Sequence, residues 1–140
     1  MFSFFRKSNK NAVLNESFNK LYGFTQDQKT AILVSLYEVA NSDDEFHPKE
    51  TEYHRKIGGY LGLNYSARKL KDLLARDRDR IYKLLDNMNE SQKDWYVITV
   101  LGMIYSDGTI IQEELNHVIS FLKGIGFSEE RIRRNMVNEQ

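Results

Sequence analysis

Sliding the chain against itself by 64 residues constrains the fold more than any single motif does. Without gaps, Gln28-Lys29 meets Gln92-Lys93, Ser42-Asp43 meets Ser106-Asp107, Glu50 meets Glu114 and Gly62 meets Gly126. Apolar positions agree too: Leu33 with Val97, Leu36 with Val100, Phe46 with Ile110, Ile57 with Phe121, and Leu61 with Ile125. Identities are few, and what recurs is a register of core, loop and stop signals. Each copy, about 28–64 and 92–128, reads as helix, acidic loop, helix and glycine stop. A lone helix pair buries only one face. Two such pairs are therefore expected to pack about a pseudo-twofold axis, with 26–41 and 92–105 at the centre.

Apolar spacing is helical nearly everywhere. Leu14, Phe18, Leu21 and Tyr22 form one stripe, and Ile32, Leu33, Leu36, Val39 and Ala40 a second. Tyr53, Ile57, Tyr60 and Leu61 follow, then Leu70, Leu73 and Leu74, and then Ile81, Leu84, Leu85 and Met88, which predict two short helices in 65–88. The segment 95–105 is apolar all round, and only 95–101 could be argued as a strand, for which no partner exists. Ile111, Leu115, Val118, Ile119, Leu122 and Ile125 make the clearest stripe, and Ile132, Met136 and Val137 a short closing helix. Thr25-Gln-Asp-Gln28 and Asn89-Glu-Ser-Gln92 match capping boxes, and Pro48 suits a first helical position. Gly62 and Gly126 stand where helices should stop. The expected fold is all-α, a compact bundle of seven or eight helices. An N-terminal arm and short helix (1–24) would precede the helical domain (25–140).

Composition narrows the task by exclusion. At 140 residues the chain can bury one proper core. Twenty basic and 20 acidic side chains leave no global field to attract nucleic acid, and no cysteine is present to form disulfides, thiolate metal sites or a cysteine nucleophile. No run nears the roughly 20 apolar residues that cross a bilayer. MFSFFRKSNK places aromatic before basic residues, the reverse of a secretory signal. A cytoplasmic protein is expected. Phe2, Phe4 and Phe5 beside Arg6, Lys7 and Lys10 suit either an arm folded on the core or a weak contact with the inner face of the membrane.

The stretch YSDGTIIQEE (105–114) imitates half of a calcium loop. With Gly108 at position 6 of an EF-hand, Asp107, Ile110 and Glu114 fall at 5, 8 and 12, but Met103 and Tyr105 occupy 1 and 3, where oxygen ligands are required. The first copy has Asp43, Phe46 and Glu50 in those places and Val39 at position 1. Neither is an EF-hand. The pattern acid-Gly-x-Ile-x-x-x-Glu after an apolar helix, seen as SDGTIIQEE and degenerate in SDDEFHPKE, instead resembles the TerB-like (tellurite-resistance protein B) domain, over about 25–130. The glycines of IGGYLGL and LKGIGFS add to the likeness. The resemblance implies a helical domain without enzymatic activity, acting with protein partners in a stress response. It also implies a divalent metal ion at the paired loops, held by Asp43, Glu50, Asp107 and Glu114.

The competing reading is capping: Glu50 and Glu114 fall near N3 of their helices, and Asp43 and Asp107 suit turns. Asp44 in place of the glycine, with His47-Pro48 following, sets the first loop apart from the second. A further alternative is a metal-dependent enzyme using the same four carboxylates to activate water, for which no general base stands out. Glu114-Leu-Asn-His117 has the Glu-x-x-His spacing of a di-iron ligand pair, but the first copy offers Glu50 and Tyr53. Arg76, Arg78 and Arg80 alternate with Asp77 and Asp79 as a salt-bridged face. Arg131, Arg133 and Arg134 are expected to serve the C-terminal dipole of the last helix.

Overall fold

A computed structural model describes residues 22–41, 48–105 and 112–139. Within them every regular element is a helix: α1 (Gln26–Ala40), α2 (Pro48–Leu61), α3 (Ala67–Asp86), α4 (Glu90–Ile104), α5 (Gln112–Ile125) and α6 (Glu129–Glu139). Six helices among the described residues replace the seven or eight expected, and the helix expected on Leu14, Phe18 and Leu21 lies outside those residues. The two short helices expected in 65–88 are a single one, α3. Its backbone leaves helical geometry at Asp77 (φ −124°, ψ 25°) without stopping. Leu74 and Ile81 are seven residues apart, about two turns, so one apolar face runs through the kink with no Gly or Pro to break it.

α1 and α2 begin and end 64 residues before α4 and α5. Local chemistry explains the shared bounds. Thr25 and Asn89 cap α1 and α4 through reciprocal boxes: Gln28 N–H donates to Thr25 Oγ1 at 3.1 Å and Gln92 N–H to Asn89 Oδ1 at 2.8 Å, while each Gln side chain accepts from its cap's N–H. At the far end, Leu63 N–H donates to Gly58 C=O (2.9 Å) and Phe127 N–H to Leu122 C=O (3.0 Å). Each bond spans a glycine at positive φ, Gly62 at 73° and Gly126 at 130°. Both turns then hand the chain to a serine cap, Ser66 for α3 and Ser128 for α6.

α1 and α4 form the centre. Ala31 to Leu36 are buried without a break, as are Trp95 to Val97 and Thr99 to Ile104, the burial expected of helices that are apolar all round. The two helices touch. Tyr96 donates its hydroxyl to Ser35 Oγ at 2.7 Å, and Ser35 donates to the Ile32 carbonyl at 2.9 Å, which satisfies both buried hydroxyls. The remaining helices surround this pair. α3 lies along α1 and α6 along α4, α2 packs on both α1 and α4, and α5 packs on α4, α3 and α6. Tyr60, Ile57, Leu85, Leu122 and Ile132 close the core with almost no exposed surface. Among the described residues no helix is long and apolar enough to cross a membrane.

Candidate functional site

Of the four carboxylates expected to hold a metal, the structure describes two. Glu50 lies in the first turn of α2 and Glu114 in the first turn of α5, at the third residue of each helix. Both are half-buried and both are engaged by neighbouring groups. A carboxylate there meets free N–H groups and the positive end of the helix dipole. Pro48 opens α2, as its missing N–H favours. Asp43 and Asp107 lie outside the described residues, as do Asp44 and His47. Among the described residues no group of three His, Asp or Glu side chains could hold a metal ion. His117 is exposed on α5, one turn beyond Glu114.

The basic runs hold helices together. The alternating face of α3 reaches α1: Arg80 Nη2 lies 2.9 Å from Asp27 Oδ2, and Arg78 pairs with Glu38. Glu38 is only 18% exposed and also accepts the Tyr82 hydroxyl at 2.8 Å. Burial and the neighbouring carboxylate push the Tyr82 phenol up to about 12, so it stays a donor. The arginines of α6 do not serve its C-terminus, and the last turn of α6 has no basic residue. Instead Arg131 and Arg134 reach Asp94 of α4 at 2.7 and 3.1 Å, joined by the Asn135 amide at 2.9 Å, and Arg131 also pairs with Glu90. Burial alone would raise the Asp94 carboxyl. The donors from Asn135, Arg131 and Arg134 outweigh it and hold the group below its ordinary value.

A third polar contact ties α2 to α1. His54 Nε2 lies 2.9 Å from the Leu33 carbonyl, so that nitrogen carries the proton and donates. The Tyr37 ring stands edge-on to the imidazole at 6.3 Å. Burial lowers the His54 pKa from its ordinary value, and the backbone hydrogen bond offsets part of that shift.

One concave surface was not anticipated from sequence. Where α1 ends, a groove of about 600 Å³ opens between α1, α3 and α5. Tyr37, Val39, Leu74 and Phe121 supply its apolar lining, and Asn41, Lys71, His117 and Ser120 its polar rim. Those four rim side chains have no hydrogen-bond or ion-pair partner among the described residues. Glu38, the one carboxylate in the lining, is held by Arg78 and Tyr82. The sequence signal was faint. Phe121 belongs to the stripe of α5, but only the structure leaves it half-exposed, where Ile57, 64 residues earlier, is sealed.

No curated protein and no solved structure matches the chain significantly. The model of the family described as tellurite resistance protein TerB matches residues 4–73, half of the chain. The matched span begins earlier and ends earlier than the 25–130 over which the acidic-loop pattern suggested likeness. It takes in α1, α2 and the first part of α3. On this match, and with an all-helical fold in agreement, the chain belongs to the TerB family.

Proposed function

We propose that this TerB-family chain is a non-enzymatic module of a chemical-stress response of the tellurite-resistance kind. It works through protein partners and responds to a divalent metal ion held by two acidic loops. Asp43 and Glu50 would supply one side of the ion, and Asp107 and Glu114 the other. In this reading the chain is a duplicated helix–acidic loop–helix unit acting in the cytoplasm, its aromatic and basic arm (Phe2 to Lys10) meeting the inner face of the membrane.

The observation that carries the proposal is the placement of Glu50 and Glu114. They occupy the same position of two helices whose bounds are 64 residues apart, each following its own acidic loop. A hard cation such as calcium takes about 6–8 oxygens. One loop's Asp and Glu are too few, whereas four carboxylates with loop carbonyls and water are enough. Helix capping accounts for the two glutamates without any ion, so the aspartates decide the matter.

The test is thermal melting of metal-stripped protein titrated with calcium, magnesium, manganese and zinc. It is repeated on Asp43→Asn/Asp107→Asn. An ion that binds only the folded state raises stability as RT ln(1 + [L]/Kd), about 2.7 kcal/mol at a hundredfold excess over Kd. The expected result is a rise in Tm for the unsubstituted chain and none for the double variant. No rise with any of the four ions at millimolar concentration would leave the carboxylates as caps.

A further inference from the structure

We propose that the groove between α1, α3 and α5 is a binding site for a small soluble amphiphile: a carboxylate on an apolar body. Three observations converge on that chemistry. The volume, about 600 Å³, falls within the range of small-molecule sites. Its lining is apolar and partly aromatic, through Tyr37, Val39, Leu74 and Phe121. Its unsatisfied polar groups are donors or can act as donors: the Lys71 ammonium, the Asn41 amide, the Ser120 hydroxyl and the His117 imidazole.

Charge selects an anion over a cation. Glu38 is neutralised within the groove wall by Arg78 and the Tyr82 hydroxyl, which leaves Lys71 as the unpaired charge of the lining. The Tyr82 ring meets Phe121 edge-on at 6.1 Å, so the apolar wall is braced from behind and does not need to form on binding.

The corresponding place in the other half is closed. Residues 64 positions from His117 and Phe121 are Tyr53 and Ile57. Tyr53 spans to α4, donating its hydroxyl to the Thr99 carbonyl at 2.8 Å, and Ile57 has no exposed surface. An opening of this shape is therefore not forced by the helix arrangement. It depends on which side chains stand at the crossing.

The experiment follows backbone amide shifts of the full chain by NMR during titration with octanoate, octylammonium and octyl glucoside, with chelator present so that the metal proposal is not involved. Expected is saturable binding of octanoate, with shifts centred on Val39, Leu74 and Phe121 and none of that kind from the other two amphiphiles. Lys71→Gln, at an exposed position, should weaken octanoate binding by about threefold, the worth of one partly screened ion pair. Ser120→Trp, also at an exposed position, should fill the groove and abolish binding while Tm is retained. Equal binding of all three amphiphiles, an unchanged Kd in Lys71→Gln, or no saturation by octanoate would overturn the proposal. So would phosphatidylglycerol vesicles capturing the protein in a Lys71-dependent manner while octanoate monomer does not, since the surface would then read a lipid headgroup.

Discussion

The crossing of α2 with α4 and the approach of α5 to the end of α1 use residues 64 positions apart and reach opposite outcomes. At the first, Tyr53 bonds across to Thr99, and Leu101, Gly102 and Met103 are buried beneath it. At the second, the matching residues are His117, Tyr37, Glu38 and Val39, and a groove remains. Gly102 has no side chain to hold the helices apart. Glu38, in the same register, carries an ion pair with Arg78 and a hydrogen bond from Tyr82. Keeping the buried face fixes the helix arrangement, and the side chains at the crossing decide whether that arrangement seals or opens. One half of this molecule is finished as structure; the other is left with accessible chemistry.

The sharpest way to break this comparison is to truncate the matched pair Ile57 and Phe121. Ile57 is fully buried, so Ile57→Ala should cost about 2–5 kcal/mol in urea unfolding. Phe121 is half-exposed at the groove, and Phe121→Ala should cost well under the roughly 3–5 kcal/mol typical of a core phenylalanine. Equal and large losses would mean that the groove is closed in solution.

The glycine stops test the same contrast in the backbone. At Gly126, φ is 130°, and an added Cβ would lie 2.6 Å from Asp86 Oδ1. At Gly62, φ is 73°, with nothing within 4 Å. Gly62→Ala should cost about 1 kcal/mol for a left-handed alanine. Gly126→Ala should cost more, about 2–3 kcal/mol, because its conformation is rarer and the Asp86 carboxylate must move. Reversed costs would show that the two turns are not the matched structures their hydrogen bonds suggest. A smaller effect tests the closed crossing: Tyr53→Phe should lose about 0.5–1.5 kcal/mol with the bond to Thr99.

The sequence made the core legible and left the crossings obscure, for one physical reason. Burial is periodic along a helix, so Ile32, Leu36, Val97, Val100 and Leu122 could be placed inside from spacing alone, and caps such as Thr25 and Asn89 announce themselves within four residues. Where two helices diverge depends on contacts between residues far apart in the chain. Glu38 meets Arg78 and Tyr82 about 40 residues on. Asp94 meets Arg131 and Asn135 at similar range, and no local pattern encodes either. The kink at Asp77 misled in the other direction. A weakening of the stripe between Leu74 and Ile81 suggested a break, where the backbone bends and continues. For the acidic loops, Glu50 and Glu114 were placed in their first turns from the motif, while Asp43 and Asp107 lie outside the described residues.

The smallest predicted effect separates the halves by pH. His54 stands 64 residues before Val118, and both face inward, but only His54 can titrate. Its folded pKa lies below the ordinary 6.5 because burial disfavours the imidazolium, and the bond to Leu33 restores only part of the difference. The charged groups nearest in its own helix are Glu50, one turn back, and Arg55, with the Tyr37 phenol packed from α1. A depressed folded pKa means that the unfolded chain takes up the proton first as pH falls. The contribution of His54 is therefore fully present above about 6.5 and is lost as pH drops from there through the folded value. Asp94, also depressed, acts only below its ordinary 3.8 and so leaves this window clear. Urea midpoints measured between pH 7.5 and about 5 should thus fall in the unsubstituted chain, and the slope should be shallower in His54→Val, which copies the other half. An unchanged slope would assign the pH response to groups other than His54, and the two halves would then not differ in this respect.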